Sequence, residues 1–319
     1  MNLGYEALRQ GAAYLNLSDR GRIEVRGRDR ARLLHNLTSN EIKKLAAGSG
    51  CYAFLLSPQG RIQADLTLLA FDDHMLLDTE PELREKIVQH IRRYIVADQV
   101  ELEDVTASTC SIALEGPESA AVLQKAGGAA PADDYQHLAW GEGGNDNEVT
   151  VARLSLTGQP GFRIYAAAGR EDEIVRRLAE AGAQPATGEE ARVVRLENGR
   201  PRYGEDIRDT SLPQETGQMH AISFSKGCYL GQEIVERIRA QGHVNRKLVR
   251  LRLDSAAPVP AGSRLTAGGA DAGEITSSIF SPAFGKAVAL AYVRATFAGS
   301  GQELESGEIR ALVSDTAAD

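Results

Sequence analysis

The sequence predicts an α+β fold made of two α+β modules followed by a small antiparallel β-barrel. With 319 residues, the chain exceeds the roughly 250 to 300 residues at which a single core stops growing. Helical and extended segments alternate through most of the chain, and from Arg246 onward short strands are separated by proline and glycine. We therefore expect three domains, at 1–108, 109–240 and 241–319.

The first predicted domain contains a helix and a β-hairpin. Apolar residues at near-helical spacing follow Asp29, a residue type that caps helices, and predict a helix near 29–38. Two β-rich runs, at 51–56 and 62–71, flank a Ser-Pro-Gln-Gly turn in which proline presets one backbone dihedral and glycine permits the other. This pattern predicts a hairpin with Asp65 on its second strand.

Further elements follow from the same helical and strand periodicities. The predicted helices lie at 81–94, 118–124 and 171–181, and the predicted strands lie at 100–105, 111–114, 149–156 and 162–167. The polar, glycine-rich stretch 141–147 predicts a mobile hairpin loop, and 315–319 predicts a frayed tail. In the last domain, Val249, Leu251 and Leu253 alternate with Arg250 and Arg252, which is typical of a barrel strand.

Composition indicates a soluble protein. No apolar run approaches the roughly 18 residues that a membrane span needs, and the N-terminal residues lack the apolar core of a secretory signal. We therefore expect a cytoplasmic location without membrane partners. The cysteines Cys51, Cys110 and Cys228 are odd in number and far apart, which fits neither a disulfide framework nor paired zinc ligands.

Charge argues against a general nucleic-acid coat, because the net charge is −8 and phosphate binding needs a basic footprint. One dense basic cluster remains, made of Arg237, Arg239, His243, Arg246, Lys247, Arg250 and Arg252. The cluster has two interpretations, a solvated surface or a grip for RNA or an acidic protein. The sequence favours the surface interpretation.

The segment from Lys226 to Glu233 reads K-G-C-Y-L-G-Q-E, and ordinary packing explains it least well. Cys228 lies before a predicted helix start and two residues after a lysine, and both features stabilise a thiolate. Cys228 is the leading candidate for a reactive atom. The competing interpretation is a buried cysteine that acts as a small hydrophobe. Gln232 and Glu233 occupy positions where side chains can cap backbone N–H groups.

Several motifs in one order identify a resemblance. The K-G-C-Y-L-G-Q-E segment, R-L-E at Arg195, Y-G-E-D at Tyr203 and G-E-I-T-S at Gly273 together resemble the YgfZ branch of the glycine-cleavage T-protein superfamily. The resemblance covers nearly the whole chain. It implies a T-protein-like fold of two α+β modules and a barrel around a central folate pocket, with a tetrahydrofolate-dependent role in maintaining iron-sulfur enzymes.

The resemblance also implies site residues. Asp65 matches the aspartate that lies beside the reactive nitrogens of folate, and it would act with Cys228 in any catalysis. Arg195 and Tyr203 match ligand-facing positions, although Arg195 can instead pair with Glu197 or Glu190, and Tyr203 can pack at a core edge. Lys226 is predicted to favour the thiolate and to contribute to cofactor binding. No metal site is predicted.

Two positions distinguish the branches of the superfamily. T-proteins carry an acidic residue where this chain has Cys228, which favours YgfZ over an aminomethyltransferase. The T-protein pattern G-E-D-G-x-E corresponds here to G-Q-P-G-F-R, so Arg163 replaces the glutamate that holds the pterin ring. A guanidinium cannot pair with the amidine edge as a carboxylate does.

These observations lead to one leading hypothesis and two alternatives. We expect a protein that binds tetrahydrofolate or a one-carbon derivative and assists iron-sulfur cluster assembly or repair, with iron-sulfur enzymes or assembly proteins as partners. The first alternative is a folate-dependent aminomethyltransferase. The second is an RNA- or protein-binding module that uses the basic cluster.

Overall fold

The structure, a computed structural model, describes residues 3–140 and 146–314. Of the predicted loop 141–147, residues 141–145 lie outside this range, whereas residues 146 and 147 begin a strand. The predicted tail 315–319 also lies outside it. Among the described residues, no helix is both long enough and apolar enough to cross a membrane.

The chain divides into two compact units. Unit 1 comprises Met1–Leu56, Ala64–Ala191 and His220–Leu230, and unit 2 comprises Ser57–Gln63, Arg192–Met219 and Gly231–Asp319. The division into three domains stays a prediction.

Each predicted helix and strand overlaps an observed element, and the structure contains further elements that the sequence did not predict. The α-helices are α1 (Leu3–Gln10), α2 (Arg30–Leu37), α3 (Arg84–Arg92), α4 (Ser119–Lys125), α5 (Glu171–Ala181), α6 (Gly188–Glu197) and α7 (Gln232–Gln241). The strands are β1 (Ala13–Asn16), β2 (Gly21–Arg26), β3 (Ser49–Leu56), β4 (Ile62–Ala70), β5 (His74–Thr79), β6 (Glu101–Asp104), β7 (Thr109–Glu115), β8 (His137–Trp140), β9 (Asp146–Ala152), β10 (Gly161–Ala167), β11 (Gln184–Pro185), β12 (Arg246–Leu253), β13 (Arg264–Ala267), β14 (Ala270–Ser281), β15 (Lys286–Arg294), β16 (Glu303–Ser306) and β17 (Ile309–Ser314).

The first sheet has the strand order β3-β4-β5-β2-β6. Alternation along β4 buries Ile62, Ala64, Leu66 and Leu68 on one face and leaves Asp65 half-buried on the other. Gly60 ends the hairpin turn with φ at +72°, a left-handed conformation that favours glycine. The predicted hairpin is confirmed.

The second sheet of unit 1 has the order β11-β1-β7-β10-β9-β8, and its core includes the buried side chains of Trp140, Phe162 and Ile164. Residues from both sheets share a further apolar cluster, with Leu69 and Leu76 from the first sheet and Tyr165 from the second. Helices together with sheets that are antiparallel apart from the β1–β11 pair give the α+β class that the sequence predicts.

Unit 2 contains a closed barrel of six strands in the order β12-β15-β14-β13-β16-β17, with antiparallel pairing throughout. Alternation along β12 buries Leu251 and Leu253 while Arg252 faces outward. Small residues such as Ala287, Ala289 and Ala291 on β15 are fully buried in its core. The predicted barrel is therefore confirmed.

Candidate functional site

Asp65 is held by an aromatic neighbour from the same hairpin. The hydroxyl of Tyr52 on β3 donates a hydrogen bond of 2.7 Å to Oδ2 of Asp65. The Tyr52 ring also stacks on the exposed imidazole of His220, with 5.4 Å between the ring centroids. The three side chains form a continuous polar and aromatic group within unit 1.

The environment of Asp65 favours the protonated form of its carboxyl group. Burial and the neighbouring Glu80 raise the pKa of Asp65 to about 6, although Tyr52 and Arg20 act in the opposite direction. Arg20 offsets little of this effect because it is already paired with Glu80 and with Asp78. Asp65 can therefore exchange a proton near neutral pH, as general acid–base chemistry requires.

Residues 220–230, here called the strap, lie along the end of α2 and the chain that follows it. The strap is held mainly by hydrogen bonds to its backbone. Two of its carbonyls accept from side chains, His220 O from Asn40 Nδ2 at 2.9 Å and Ala221 O from Ser39 Oγ at 2.6 Å. Two of its amides donate to carbonyls, Ser223 N to Ser39 O at 3.0 Å and Leu230 N to Asn36 O at 3.2 Å. Asn40 Nδ2 also donates to Tyr52 O at 2.8 Å. The side-chain amide of Asn40 therefore bonds both Tyr52, the partner of Asp65, and His220 in the strap.

Cys228 lies on the exposed part of the strap, whereas Cys51 and Cys110 are buried. Burial raises the pKa of Cys51 to about 12 and also raises the pKa of Cys110, which leaves both thiols protonated and inert. The interpretation of Cys228 as a buried hydrophobe is therefore wrong. Its sulfur is open to a ligand or a partner.

The start of α7 differs from the prediction. The helix begins at Gln232 with Gly231 as its N-cap, and neither Gln232 nor Glu233 bonds a backbone N–H there. Glu233 instead pairs with Arg237 one turn later, at 2.8 Å. The capping role predicted for Gln232 and Glu233 is wrong, because the i,i+4 ion pair draws the carboxylate along the exposed face of the helix.

Lys226 points into unit 1. Its Nζ donates to the carbonyl oxygens of His35, Thr38 and Asn40 at 2.5, 2.6 and 2.7 Å. Burial lowers the pKa of Lys226 to about 8, so the ammonium form still prevails at neutral pH. Because an ammonium has three N–H groups, a cofactor would have to displace a carbonyl to bond it. Cofactor binding by Lys226 stays a prediction.

Arg195 lies in unit 2 and is nearly fully buried. It pairs with Asp206 at 2.7 Å, with Glu205, and with the carbonyl of Arg200. Asp206 also accepts hydrogen bonds from Thr276 at 2.7 Å and Ser277 at 2.5 Å. The predicted surface pairing of Arg195 with Glu197 or Glu190 is therefore wrong, because the guanidinium is used in a buried network.

Tyr203 also belongs to unit 2. Its ring is buried, and its hydroxyl donates to the carbonyl of Gln63 at 2.9 Å. This arrangement fits the core-edge packing that the sequence left open for it. Ligand contacts of Tyr203 and Arg195 stay predictions.

The basic cluster is largely engaged within unit 2. Arg237 and Arg239 make ion pairs on α7. Arg246 forms an ion pair with Glu215 at 3.1 Å. Arg250 donates a hydrogen bond to a backbone carbonyl, and the Arg252 guanidinium lies over the Phe284 ring. Nucleic-acid binding gains affinity when protein cations neutralise phosphates and release their counterions. Cations that are already paired within the protein contribute less to this gain. The surface interpretation of this cluster is therefore favoured.

Two domain families match this chain. The GCVT N-terminal domain matches residues 2–226, and the glycine cleavage T-protein C-terminal barrel domain matches residues 246–314. The chain belongs to the glycine cleavage T-protein family. The two matches together cover most of its length.

Individual relatives agree with this assignment. An aminomethyltransferase of Rubrobacter xylanophilus is 32% identical over 292 residues, which cover 91% of this chain and 78% of the relative. A putative chloroplastic transferase of Arabidopsis thaliana is 29% identical over 316 residues, which cover 97% of this chain and 72% of the relative. The glycine cleavage system aminomethyltransferase T from Bartonella henselae shares the fold, with a TM-score of 0.88 at 22% identity, and the match covers 99% of this chain and 88% of that one.

Arg163 departs from the T-protein pattern, and the structure shows how it is used. Its Nη1 pairs with Oδ2 of the buried Asp78 at 3.3 Å, and Tyr165 donates to the same oxygen at 2.8 Å. Burial tends to raise the pKa of Asp78, but Arg20 and Arg163 outweigh it and the pKa lies below its ordinary value. Arg163 therefore stabilises a buried anion.

Sequence reasoning missed several residues of this candidate site. Tyr52 lies in the predicted hairpin, so its proximity to Asp65 was open to inference from that prediction. Asp78 and His220 carried no comparable signal, because their partners Arg163 and Tyr52 are far away in sequence. Across 3–140 and 146–314, no group of three histidine, cysteine, aspartate or glutamate side chains is arranged to hold a metal ion.

Proposed function

We propose that this protein binds tetrahydrofolate or a one-carbon derivative and supports iron-sulfur cluster assembly or repair through Cys228, as a member of the YgfZ branch. The observation that carries the proposal is that Cys228 is exposed. The residues on either side of it in the strap, among them Lys226 and Leu230, are hydrogen-bonded to α2. The thiol faces outward where a core cysteine would face inward. Its partners would be iron-sulfur enzymes or cluster-assembly proteins.

The chemistry of Asp65 supports the folate part of the proposal. Bound tetrahydrofolate would supply reduced ring nitrogens that carry one-carbon groups. A half-buried carboxyl with a pKa of about 6 suits contact with such nitrogens, because it accepts or holds a proton near neutral pH. Tyr52 fixes the orientation of Asp65. Arg163 offers no carboxylate to the pterin ring, so Asp65 is the acidic group on which binding depends.

A substitution at Cys228 tests the iron-sulfur role. Cells that carry Cys228→Ala should lose activity of cluster-dependent enzymes, while Ser225→Ala, an exposed change on the same strap, should not. Both variants should be present at wild-type levels, because neither removes a buried side chain. Full activity of the cluster-dependent enzymes in cells that carry Cys228→Ala would mean that the function does not require the thiol.

An aminomethyltransferase is the second candidate, favoured by the names of several relatives, including the Rubrobacter xylanophilus protein. Purified protein would then release ammonia from an aminomethyl-loaded lipoyl carrier when tetrahydrofolate is present. We expect no such turnover, because Cys228 and Arg163 replace acidic residues of the T-protein pattern. Turnover that survives Cys228→Ala but not Asp65→Asn would favour this candidate over the first.

A further inference from the structure

The exposed thiol lies between two buried anchors on the strap. Lys226 and Tyr229 are both buried, whereas Gly227 and Cys228 between them are exposed. The Lys226 ammonium lies 4.8 Å from the centroid of the Tyr229 ring, so the two anchors also contact each other. Only two residues span the exposed stretch, and the sulfur therefore has little freedom to move away from this place.

The acceptors of Lys226 explain why an ammonium is held there. The last carbonyl groups of a helix have no partner within the helix, and α2 ends at Leu37. His35 O belongs to this last turn, and Thr38 O and Asn40 O follow in the next residues. A cation at a helix C-terminus also complements the helix dipole. Lys226 thus satisfies three carbonyls at one point.

Gly227 separates the buried Lys226 from the exposed Cys228. A Cβ added at Gly227 would meet no atom within 4 Å, and Gly227 does not adopt a left-handed conformation. Packing therefore does not demand glycine at this position. The change from the buried Lys226 to the exposed Cys228 therefore depends on the attachment of Lys226 and not on glycine at position 227.

We infer that Lys226 is a positioning residue for Cys228. Its ammonium fixes the strap to the end of α2, and this attachment sets the place at which a ligand or partner meets the sulfur. The inference rests on the proposed function of Cys228. It differs from the sequence prediction, in which Lys226 acts on the thiolate or the cofactor directly.

The surroundings of Lys226 favour an anchor. All three of its N–H groups are directed to main-chain carbonyls. Its charged and titratable neighbours, His35, Glu41, Lys43 and Cys51, come from α2, from the chain that follows α2 and from β3. The charge of Lys226 therefore acts on groups around the end of α2.

Hydrogen exchange of two strap amides tests the anchor directly. Ser223 N donates to Ser39 O and Leu230 N donates to Asn36 O, so both amides report whether the strap stays fastened. In Lys226→Met, which keeps the apolar stem but removes the ammonium, we expect exchange at both amides to accelerate at least about tenfold. Amides of the barrel strand β12 in the same sample should be unchanged and serve as the folding control.

Cellular activity of iron-sulfur enzymes is the second readout. Lys226→Met should lower it towards the level of Cys228→Ala, although the thiol is still present. Lys226→Arg restores a cation with several donors and should recover both slow exchange and part of the activity. A general structural defect would not be corrected by this change alone. If Lys226→Met does not fold, Lys226→Gln replaces it, because that change also removes the ammonium while it keeps N–H donors for the carbonyls, and exchange at both amides should again accelerate.

The outcomes separate this inference from the proposed function. Unchanged hydrogen exchange in Lys226→Met would contradict the inference that Lys226 positions Cys228. Fast exchange together with full enzyme activity would contradict it as well. Lost activity with unchanged exchange would also overturn it and would favour a direct chemical role. Cys228→Ala with full activity would defeat the proposed function, while the exchange experiment would still decide whether Lys226 fastens the strap.

Discussion

The hydroxyl of Tyr52 donates a 2.7 Å hydrogen bond to Oδ2 of Asp65, and this contact fixes the carboxyl that the proposed folate chemistry needs. Thr79 also donates to the backbone carbonyl of Asp65, at 2.8 Å. Both the side chain and the backbone of Asp65 are therefore held by neighbouring strands. Asp65 presents one oriented carboxyl group, preorganised before a ligand arrives.

Asp65→Asn should stabilise the protein at neutral pH. The folded-state pKa of Asp65 is raised to about 6, so its stabilising contribution is complete below the unfolded-state pKa and is lost as pH rises through about 6. Asparagine does not titrate and keeps an acceptor for Tyr52. Allowing for the partial exposure of Asp65, we expect a gain of about 1 to 2 kcal/mol above pH 6.

Urea unfolding of wild type and Asp65→Asn at a series of pH values measures this gain. The difference between the two proteins should shrink as pH falls from about 6 to about 4. A difference that stays constant over this range would mean that Asp65 has an ordinary pKa in the folded protein.

Tyr52→Phe should raise the pKa of Asp65 further. The Tyr52 hydroxyl stabilises the carboxylate, and without it the protonated acid gains relative to the anion. A carbon-detected NMR titration of the Asp65 carboxyl measures this shift. Tyr94→Phe, a change at a half-exposed tyrosine after α3, provides the control and should leave the titration unchanged. A lower pKa in Tyr52→Phe would contradict the account.

Arg163→Glu, which restores the residue type of the T-protein pattern, should destabilise the protein strongly. It places a second carboxylate beside the buried Asp78 and removes one of its two cationic partners. Loss of one partner from a buried ion pair costs about 3 to 5 kcal/mol, and we expect a loss in this range. Arg176→Glu, at an exposed position on α5, should cost no more than about 1 kcal/mol in the same unfolding experiment.

Arg195→Met tests whether the guanidinium has a structural role. Asp206 would stay buried without its cation, and we expect a loss of about 3 kcal/mol in urea unfolding. Arg208→Met, at an exposed arginine of unit 2, is the matched control and should change stability by less than about 1 kcal/mol. Unchanged stability in Arg195→Met would favour the ligand role predicted from the sequence.

Local patterns were sufficient to predict the fold class and many of the helices and strands, whereas α1, α6 and β5 were not predicted. The apolar spacing after Asp29 predicted α2, the Ser-Pro-Gln-Gly turn predicted the β3–β4 hairpin, and alternation along β12 predicted a barrel strand. These signals depend on residues that are close in sequence, where helical and strand periodicities are explicit.

The contacts of the site were less accessible to sequence reasoning. Lys226 and its acceptor His35 are 191 positions apart, so no local pattern indicates that the ammonium points to α2. Arg163 and Asp78 are 85 positions apart and meet only when the two sheets pack. The motif identified Cys228 as unusual, but only the burial of Lys226 and Tyr229 on either side shows how its exposure is maintained.

Calorimetric titration of tetrahydrofolate into wild type and Asp65→Asn tests the central claim most directly. We predict saturable binding to wild type and a loss of affinity of at least about tenfold in Asp65→Asn, because the half-buried carboxyl is the acidic group for the ligand. Thermal unfolding of the variant should show that it stays folded. The absence of heat from binding to wild type, or equal affinity in both proteins, would contradict the account.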